Sequence, residues 1–306
     1  VAFNMLIAPL LALFAERVSL ERRTTMSAIL GVCYPLAVAL GSSLMALGPQ
    51  DEAGRLWVLA GLILAASLGF TAVSGEPSNR HEPKPPQPVK GWGGLELMGL
   101  FRPFASRDFT LVWSGRLLLS TGYALVGAYL FYFIGEAFAS EGRTVEISHS
   151  VLTGVSLAGV FTLAALVAFI GKRLESRKPV AIAGAVVLCL SALVAVLAQE
   201  WGVLVAAFVG YGLGQGAYGS VEIGLMADVL PSDQDRGKDM GLINLTVALP
   251  QAIAPLIAVL IHQLDGGVRP IMGVAAFCFG AAALLMTGLK ANSVPASPKA
   301  ARAADA

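Results

Sequence analysis

Long apolar segments alternate with short polar segments along the whole chain. Eight of them have about the 20 residues that a helix needs to cross the hydrocarbon core of a bilayer. They cover residues 26–47, 56–74, 109–134, 151–171, 179–198, 202–227, 240–262 and 270–289. A ninth run, Val1 to Ala15, is too short, because its residues rise about 22 Å against a core of about 30 Å. The pattern therefore predicts nine spans, with the chain starting inside the first.

The composition excludes a soluble fold. Hydrophobic residues make up 56% of the chain and charged residues 13%, with a mean hydropathy of +0.72. An ordinary soluble domain has about 25% charged residues. Lipid forces each span to satisfy its own backbone hydrogen bonds, and the runs of Ala, Leu, Val and Gly suit helices rather than barrel strands. We therefore predict an all-α polytopic membrane protein.

The distribution of Lys and Arg predicts the orientation. With alternating spans, 17 of the 21 basic residues lie on one side, three lie on the other, and Arg116 lies within a span. Basic loops stay on the cytoplasmic side. The expected location is the plasma membrane, as a bacterial inner-membrane protein with a cytoplasmic C-terminus, and nothing in the charge pattern suggests nucleic-acid binding.

Two predicted cytoplasmic exits resemble each other and indicate an internal repeat. Ala15-Glu16 precedes a basic cluster, as does Ala227-Asp228 about 212 residues later. If the repeats are equivalent, each half has six helices and the amino-terminal half lacks three. The proline-rich stretch 76–90 favours an extended linker between the halves. The predicted domains are 1–74 (the last three spans of the first bundle), 75–108 (central loop), 109–289 (second bundle) and 290–306 (tail).

One pattern near the start of the chain consists of Asn4, Ala8-Pro9, Ala12-Leu13 and Ala15-Glu16. It is similar to the fourth helix of the sugar and cation symporter-like branch of the major facilitator superfamily, which includes sucrose transporters, with Ala8 and Glu16 replacing a Gly and an Asp. The chain thus resembles this superfamily from the fourth to the twelfth helix. A second pattern resembles the tenth-helix exit of the superfamily. It consists of 227–231, Arg236-Gly237 and Gly241.

The superfamily also has a cytoplasmic loop motif between the second and third helices of each half. Gly171, Glu175 and Arg177 occupy the matching position in the second half, with Glu in place of Asp and without the second Gly. A basic loop held inside by its charge explains these residues equally well. The resemblance implies a two-bundle secondary transporter that works by alternating access.

Two ionisable residues lie inside apolar spans, where a charge costs about 2.5 to 3.5 kcal/mol and usually faces a cavity or a partner. Arg116 lies seven residues after Phe109 and Glu222 six residues before Asp228. Both are thus about 9 to 10 Å from the cytoplasmic edge. We predict that they pair and act in gating or proton coupling. A static pair that orients two helices and an Arg116 that snorkels to the headgroups are the alternatives.

Polar residues recur at helical spacing and predict the substrate pathway. Three spans carry these stripes beside the charged pair. The stripe residues are Ser120 and Tyr123; Tyr211, Gln215 and Tyr218; and Asn244 and Gln251. Aligned Tyr, Gln and Asn side chains suit hydroxyl-rich or amphipathic solutes, whereas hydrogen bonds between packed helices are the structural alternative for each residue.

Other motifs do not predict chemistry. The run 214–219 matches a dinucleotide fingerprint but lies inside a span, so its glycines favour close helix approach instead. Cys33, Cys189 and Cys278 are predicted to be buried apolar residues, and the three His are dispersed. We expect no metal and no cofactor, and a convergent set of catalytic residues is missing.

The expected function is secondary transport of a small solute, with a sugar coupled to protons as the leading hypothesis. Export of amphiphilic drug-like compounds is the alternative within transport. A transport-inactive fragment or scaffold is the alternative outside it. The expected partners are the solute, protons or another cation, and the bilayer, with the oligomeric state open.

Overall fold

The computed structural model describes the chain in separate stretches. These are residues 18, 22, 25–27, 29–30, 33, 36–37, 51–74, 102–138, 144–170, 176–230, 236–264 and 267–290. They contain seven α-helices of 19 residues or more. The helices are α1 (Glu52–Ser74), α2 (Arg107–Phe138), α3 (Val145–Ile170), α4 (Lys178–Leu197), α5 (Trp201–Asp228), α6 (Arg236–Gln263) and α7 (Arg269–Thr287). A short 3-10 helix, Arg102–Ala105, precedes α2, and no strand occurs in these stretches.

The seven predicted spans from 56–74 onward are confirmed as helices. Most helices extend beyond the apolar window, as at Arg107 and Asp108 in α2, because polar residues continue the helix past its lipid-buried part. Five described helices are long and apolar enough to cross a membrane, namely α2, α4 and α7 together with 147–170 of α3 and 241–263 of α6. α5 has 28 residues, of which seven are Gly. Predicted spans 1–15 and 26–47 lie largely outside the described residues, so the count of nine stays a prediction.

The chain divides into two compact units, residues 36–97 and the remainder. Within the smaller unit, most described side chains of α1 are exposed, and Asp51 caps the first turn of α1 by accepting a hydrogen bond from Gly54 N at 2.7 Å. In the larger unit, the neighbouring helices follow the order α3, α5, α4, α7, α2 and α6. α5 therefore packs between α3 and α4, whereas α6 packs mainly on α2.

Glycines on two faces of α5 let its neighbours approach closely. A methyl group at Gly216 would lie 2.6 Å from the Val160 carbonyl oxygen of α3, and one at Gly214 would lie 2.9 Å from the Gly184 oxygen of α4. Both contacts are with backbone, which cannot move aside as a flexible side chain can. The prediction that these glycines serve helix packing is thus confirmed.

Antiparallel α4 and α7 bind each other's carboxyl ends. Lys178, at the start of α4, donates to the carbonyls of Thr287 and Leu289 at 2.8 and 2.6 Å. Arg269, at the start of α7, donates to the Val196 carbonyl at 2.8 Å. A cation at a helix carboxyl end satisfies free carbonyls and complements the helix dipole. These caps hold both ends of the pair in register.

The outer surface of the larger unit is apolar, as expected for helices that face lipid. Phe169, Leu197 and Phe277 are all more than 70% exposed. The prediction of buried cysteines holds for Cys278 and is wrong for Cys33, which is exposed, whereas Cys189 is half-buried. An apolar position in a span can face lipid as well as a core, so hydropathy alone does not distinguish them.

Candidate functional site

Arg116 of α2 and Glu222 of α5 form an ion pair. Arg116 Nε lies 2.8 Å from Glu222 Oε1, and the two side chains are 8% and 23% exposed. Pairing offsets the cost of placing each charge in an apolar helix. The structure thus shows the two side chains paired. Their role in gating or coupling stays a prediction.

The ion pair rests on a single hydrogen bond. Among the described residues, Arg116 Nη2 and Glu222 Oε2 have no hydrogen-bond partner, and neither atom is sealed from solvent. A carboxylate can accept a bidentate contact from an arginine, and this one does not. The pair consequently keeps one free donor edge and one free acceptor oxygen.

Two side chains of α2 bind consecutive carbonyls of α6. Arg116 Nη1 donates to the Ile243 carbonyl at 3.2 Å, and Trp113 Nε1 donates to the Leu242 carbonyl at 2.9 Å. Arg116 therefore connects three helices, namely α2, α5 and α6. The sequence analysis missed Trp113, although its position three residues before Arg116 places it on the same helix face.

An aromatic cluster lies further along the same helices. The Tyr123 ring of α2 is 6.2 Å from the Tyr211 ring of α5, and both contact Phe279 of α7, at 5.4 and 6.1 Å between ring centroids. The Tyr123 hydroxyl is buried and has no hydrogen-bond partner among the described residues. α2 and α5 thus meet through side chains at two levels, the ion pair and this cluster. Phe279 gave no signal in the sequence because an apolar residue in an apolar span is unremarkable.

The remaining stripe residues have different surroundings. Ser120 and Gln215 are half-buried, Tyr218 is 1% exposed, and Asn244 is buried. Gln251, in contrast, lies exposed on α6. The structure therefore brings the stripes of α2 and α5 together, whereas Gln251 of the α6 stripe lies exposed.

The interior beside the aromatic cluster is nearly filled. A cavity of about 10 Å³ remains between α2, α4, α5 and α7, and its lining includes Val126, Tyr211 and Met272. That volume holds about one water molecule. Neither Arg116 nor Glu222 lines it.

The sequence model of the Major Facilitator Superfamily matches residues 112–305, which include the ion pair and both polar stripes. The chain belongs to the Major Facilitator Superfamily. It is accordingly a multi-pass membrane protein of a transporter family, and the resemblance inferred from the sequence is confirmed at this level.

One solved structure shares the superfamily fold of this chain. It is the crystal structure of the human organic anion transporter MFSD10 (TETRAN), with a TM-score of 0.70 and 19% sequence identity. The match covers 90% of this chain and 66% of MFSD10, so the chain spans less than two thirds of that protein. No curated protein matches the chain.

Arg177, one of the three residues of the predicted loop motif, forms a second ion pair. Arg177 is 1% exposed, and its Nη1 lies 2.5 Å from Asp228 Oδ2 at the end of α5. Its side chain crosses Gly224, where a methyl group would lie 2.9 Å from Arg177 Nε. Gly224 N also donates to Ser27 Oγ at 3.3 Å. The sequence analysis used Asp228 only as a repeat marker and did not predict that it binds Arg177.

The other two motif residues, Gly171 and Glu175, lie outside the described residues. Within the described stretches, no group of three or more His, Cys, Asp or Glu side chains is placed to hold a metal ion. Arg116–Glu222 and Arg177–Asp228 are the ion pairs that form between described residues.

Proposed function

We propose that this chain is part of a secondary active transporter that moves a small solute by alternating access, with protons as the coupling ion. The observation that carries the proposal is the single-contact pair of Arg116 and Glu222. Protonation of Glu222 would remove the charge that holds Arg116. Because Oε2 of Glu222 has no partner among the described residues, a proton can bind there without displacing another contact.

The helix packing supports a link between protonation and movement. α2 packs mainly on α7 and α6, whereas α5 packs mainly on α3 and α4. α2 and α5 are therefore joined chiefly by side chains, at the ion pair and at the aromatic cluster. Arg116 keeps its bond to the Ile243 carbonyl when the pair opens. Release of Glu222 would thus break the polar link between α5 and α2, whereas α2 would stay bound to α6.

We also retain the predicted organisation of the chain as part of this proposal. Residues 1–74 belong to the first bundle, 109–289 form the second, 75–108 link them, and 290–306 form a cytoplasmic tail. The predicted membrane is the bacterial inner membrane. The concentration of basic residues on one side of the helices supports this orientation.

The proposed solute is small and polar, and a sugar is the leading candidate from the sequence resemblance. The hydroxyl of Ser120 and the amide of Gln215 lie half-buried along the two stripes and suit such a solute. Export of an amphiphilic compound is the second candidate. The half-buried rings of Tyr123 and Tyr211 favour it, because aromatic rings bind apolar surface.

The decisive experiment uses the protein reconstituted in proteoliposomes. It measures accumulation of labelled sugars and of amphiphilic dyes under an imposed proton gradient, and solute exchange without a gradient. Glu222→Gln cannot lose a proton, so it should reduce gradient-driven accumulation at least tenfold while exchange continues. Movement of dye without sugar would favour export instead.

Glu136→Gln provides a matched control. Glu136 lies near the opposite end of α2, outside the stripes, and accepts a hydrogen bond from Val268 N at 3.0 Å, which glutamine can also accept. This variant should accumulate solute like the wild type. Undiminished accumulation by Glu222→Gln would contradict proton coupling at this residue, and the absence of all solute movement would contradict transport.

A further inference from the structure

A groove of about 480 Å³ lies between α4 and α5 on the surface of the larger unit. Gly202, Ala206 and Ala207 of α5 line it with little or no side chain. Leu190 and Val194 of α4 also line it and are 56% and 42% exposed, so the groove opens outward rather than into the packed interior. Its volume is within the range of pockets that bind small ligands.

The groove lies at the level of one membrane leaflet. It follows the last turns of α4 and the first two turns of α5. Ala207 comes seven residues after Glu200, which is about 10 Å at helical rise, and one leaflet of the hydrocarbon core is about 15 Å thick. The loop 198–200 has no Lys or Arg and therefore belongs to the side predicted to be extracytoplasmic. The groove thus covers most of the depth of the outer leaflet.

A carboxylate lies at the polar end of this groove. Glu200 is exposed, lines the groove and is the N-cap residue of α5, but its side chain makes no hydrogen bond to the first turn of the helix. It also has no ion-pair partner among the described residues. Arg269 approaches the same loop but donates to the carbonyls of Val196 and Ala198, at 2.8 and 3.3 Å, instead. A negative charge at the end of an apolar groove suits a ligand with a positive head and an apolar tail.

We infer that the groove binds a phospholipid with an ethanolamine head, whose ammonium group pairs with Glu200 and one of whose acyl chains lies between α4 and α5. The groove is open to the bilayer, where lipid is abundant, and its apolar lining matches an acyl chain. The ammonium group of ethanolamine has three N–H donors, as that of lysine has, and can donate to a carboxylate. The inference does not rest on the proposed transport function.

The head and the chain of the lipid contribute in different ways. Choline has the positive charge of ethanolamine but no N–H donor, and phosphatidylglycerol is an anion that Glu200 would repel. The carboxylate therefore selects between heads, whereas the apolar lining contributes equally to the binding of all three lipids. Gly202 allows the chain to be tested alone, because a methyl group there would meet nothing within 4 Å. A larger side chain at this position would fill the groove without displacing a helix.

The test titrates the purified full chain in detergent with palmitoyl-oleoyl phosphatidylethanolamine, phosphatidylcholine and phosphatidylglycerol, and measures the lipids bound per chain by native mass spectrometry. The wild type should bind its first ethanolamine lipid about three- to tenfold more tightly than the other two lipids, as expected for one charge-assisted bond at an exposed site. Glu200→Gln should lose this preference. Glu136→Gln changes an exposed carboxylate near the end of α2, outside the groove, and should keep it.

Gly202→Leu should weaken the binding of ethanolamine and choline lipids alike, because its side chain would occupy the place of the acyl chain. Gly154→Leu is the matched control, since Gly154 of α3 also has open space around it and does not line the groove. Equal affinity of the wild type for the three lipids, an unchanged preference in Glu200→Gln, or equal lipid binding by the two leucine variants would overturn the inference. A dimer that forms in place of lipid binding and disappears in Gly202→Leu would also overturn it, because a second copy of the chain would then occupy the groove.

Discussion

Replacing Arg177 by leucine tests the buried ion pair at the end of α5. The Arg177 and Asp228 side chains are 1% and 6% exposed, so the change leaves a carboxylate buried without its cation. Removing one partner of such a pair typically costs about 3 to 5 kcal/mol. Because about 1.4 kcal/mol corresponds to a factor of ten, the unfolding equilibrium should shift by roughly 10² to 10⁴.

The double variant Arg177→Leu/Asp228→Leu separates pairing from packing. It leaves neither charge stranded, so its loss of stability should be smaller than the sum of the two single losses. Gly224→Ala offers an independent perturbation, because its methyl group would lie 2.9 Å from Arg177 Nε and displace the guanidinium. All four variants can be compared by reversible unfolding in mixed detergent micelles, followed by tryptophan fluorescence. A single-variant loss below about 1 kcal/mol, or strict additivity in the double variant, would refute the reasoning.

Three further predictions use the same unfolding measurement. Gly216→Ala should destabilise the protein by about 1 to 3 kcal/mol, because its methyl group would clash with α3. In the control Gly202→Ala the methyl group meets nothing within 4 Å, so stability should change little. Equal losses of stability in the two variants would count against close packing at Gly216. Tyr123→Phe removes a buried hydroxyl that has no partner among the described residues, so stability should stay unchanged or rise by up to about 1 kcal/mol. A large loss of stability would show that the hydroxyl has a further partner. Trp113→Phe should cost about 0.5 to 1.5 kcal/mol through the lost bond to the Leu242 carbonyl, and no loss would show that water replaces it.

The membrane class and most helices follow from the sequence alone. A span must satisfy its backbone polar groups with its own hydrogen bonds and present apolar side chains to lipid. Its length and hydropathy can therefore be read from consecutive residues of the sequence. The same physical constraint made Arg116 and Glu222 conspicuous, because a charge at membrane depth needs a partner. Their equal depth then suggested which partner each had.

Tertiary structure decided which residues share a site. Hydropathy carries no information on which face of an apolar helix meets another helix. For this reason Cys33 was predicted to be buried although it is exposed, and Gln251 was grouped with the stripe residues although it lies exposed on α6. For the same reason Phe279 was not predicted to belong to the site. The bonds from α2 to the α6 carbonyls depend on helix order in space, which local spacing does not encode. The sequence determined the spans and the charges inside them, whereas helix packing alone determined the single-contact geometry that leaves one edge of Arg116 free.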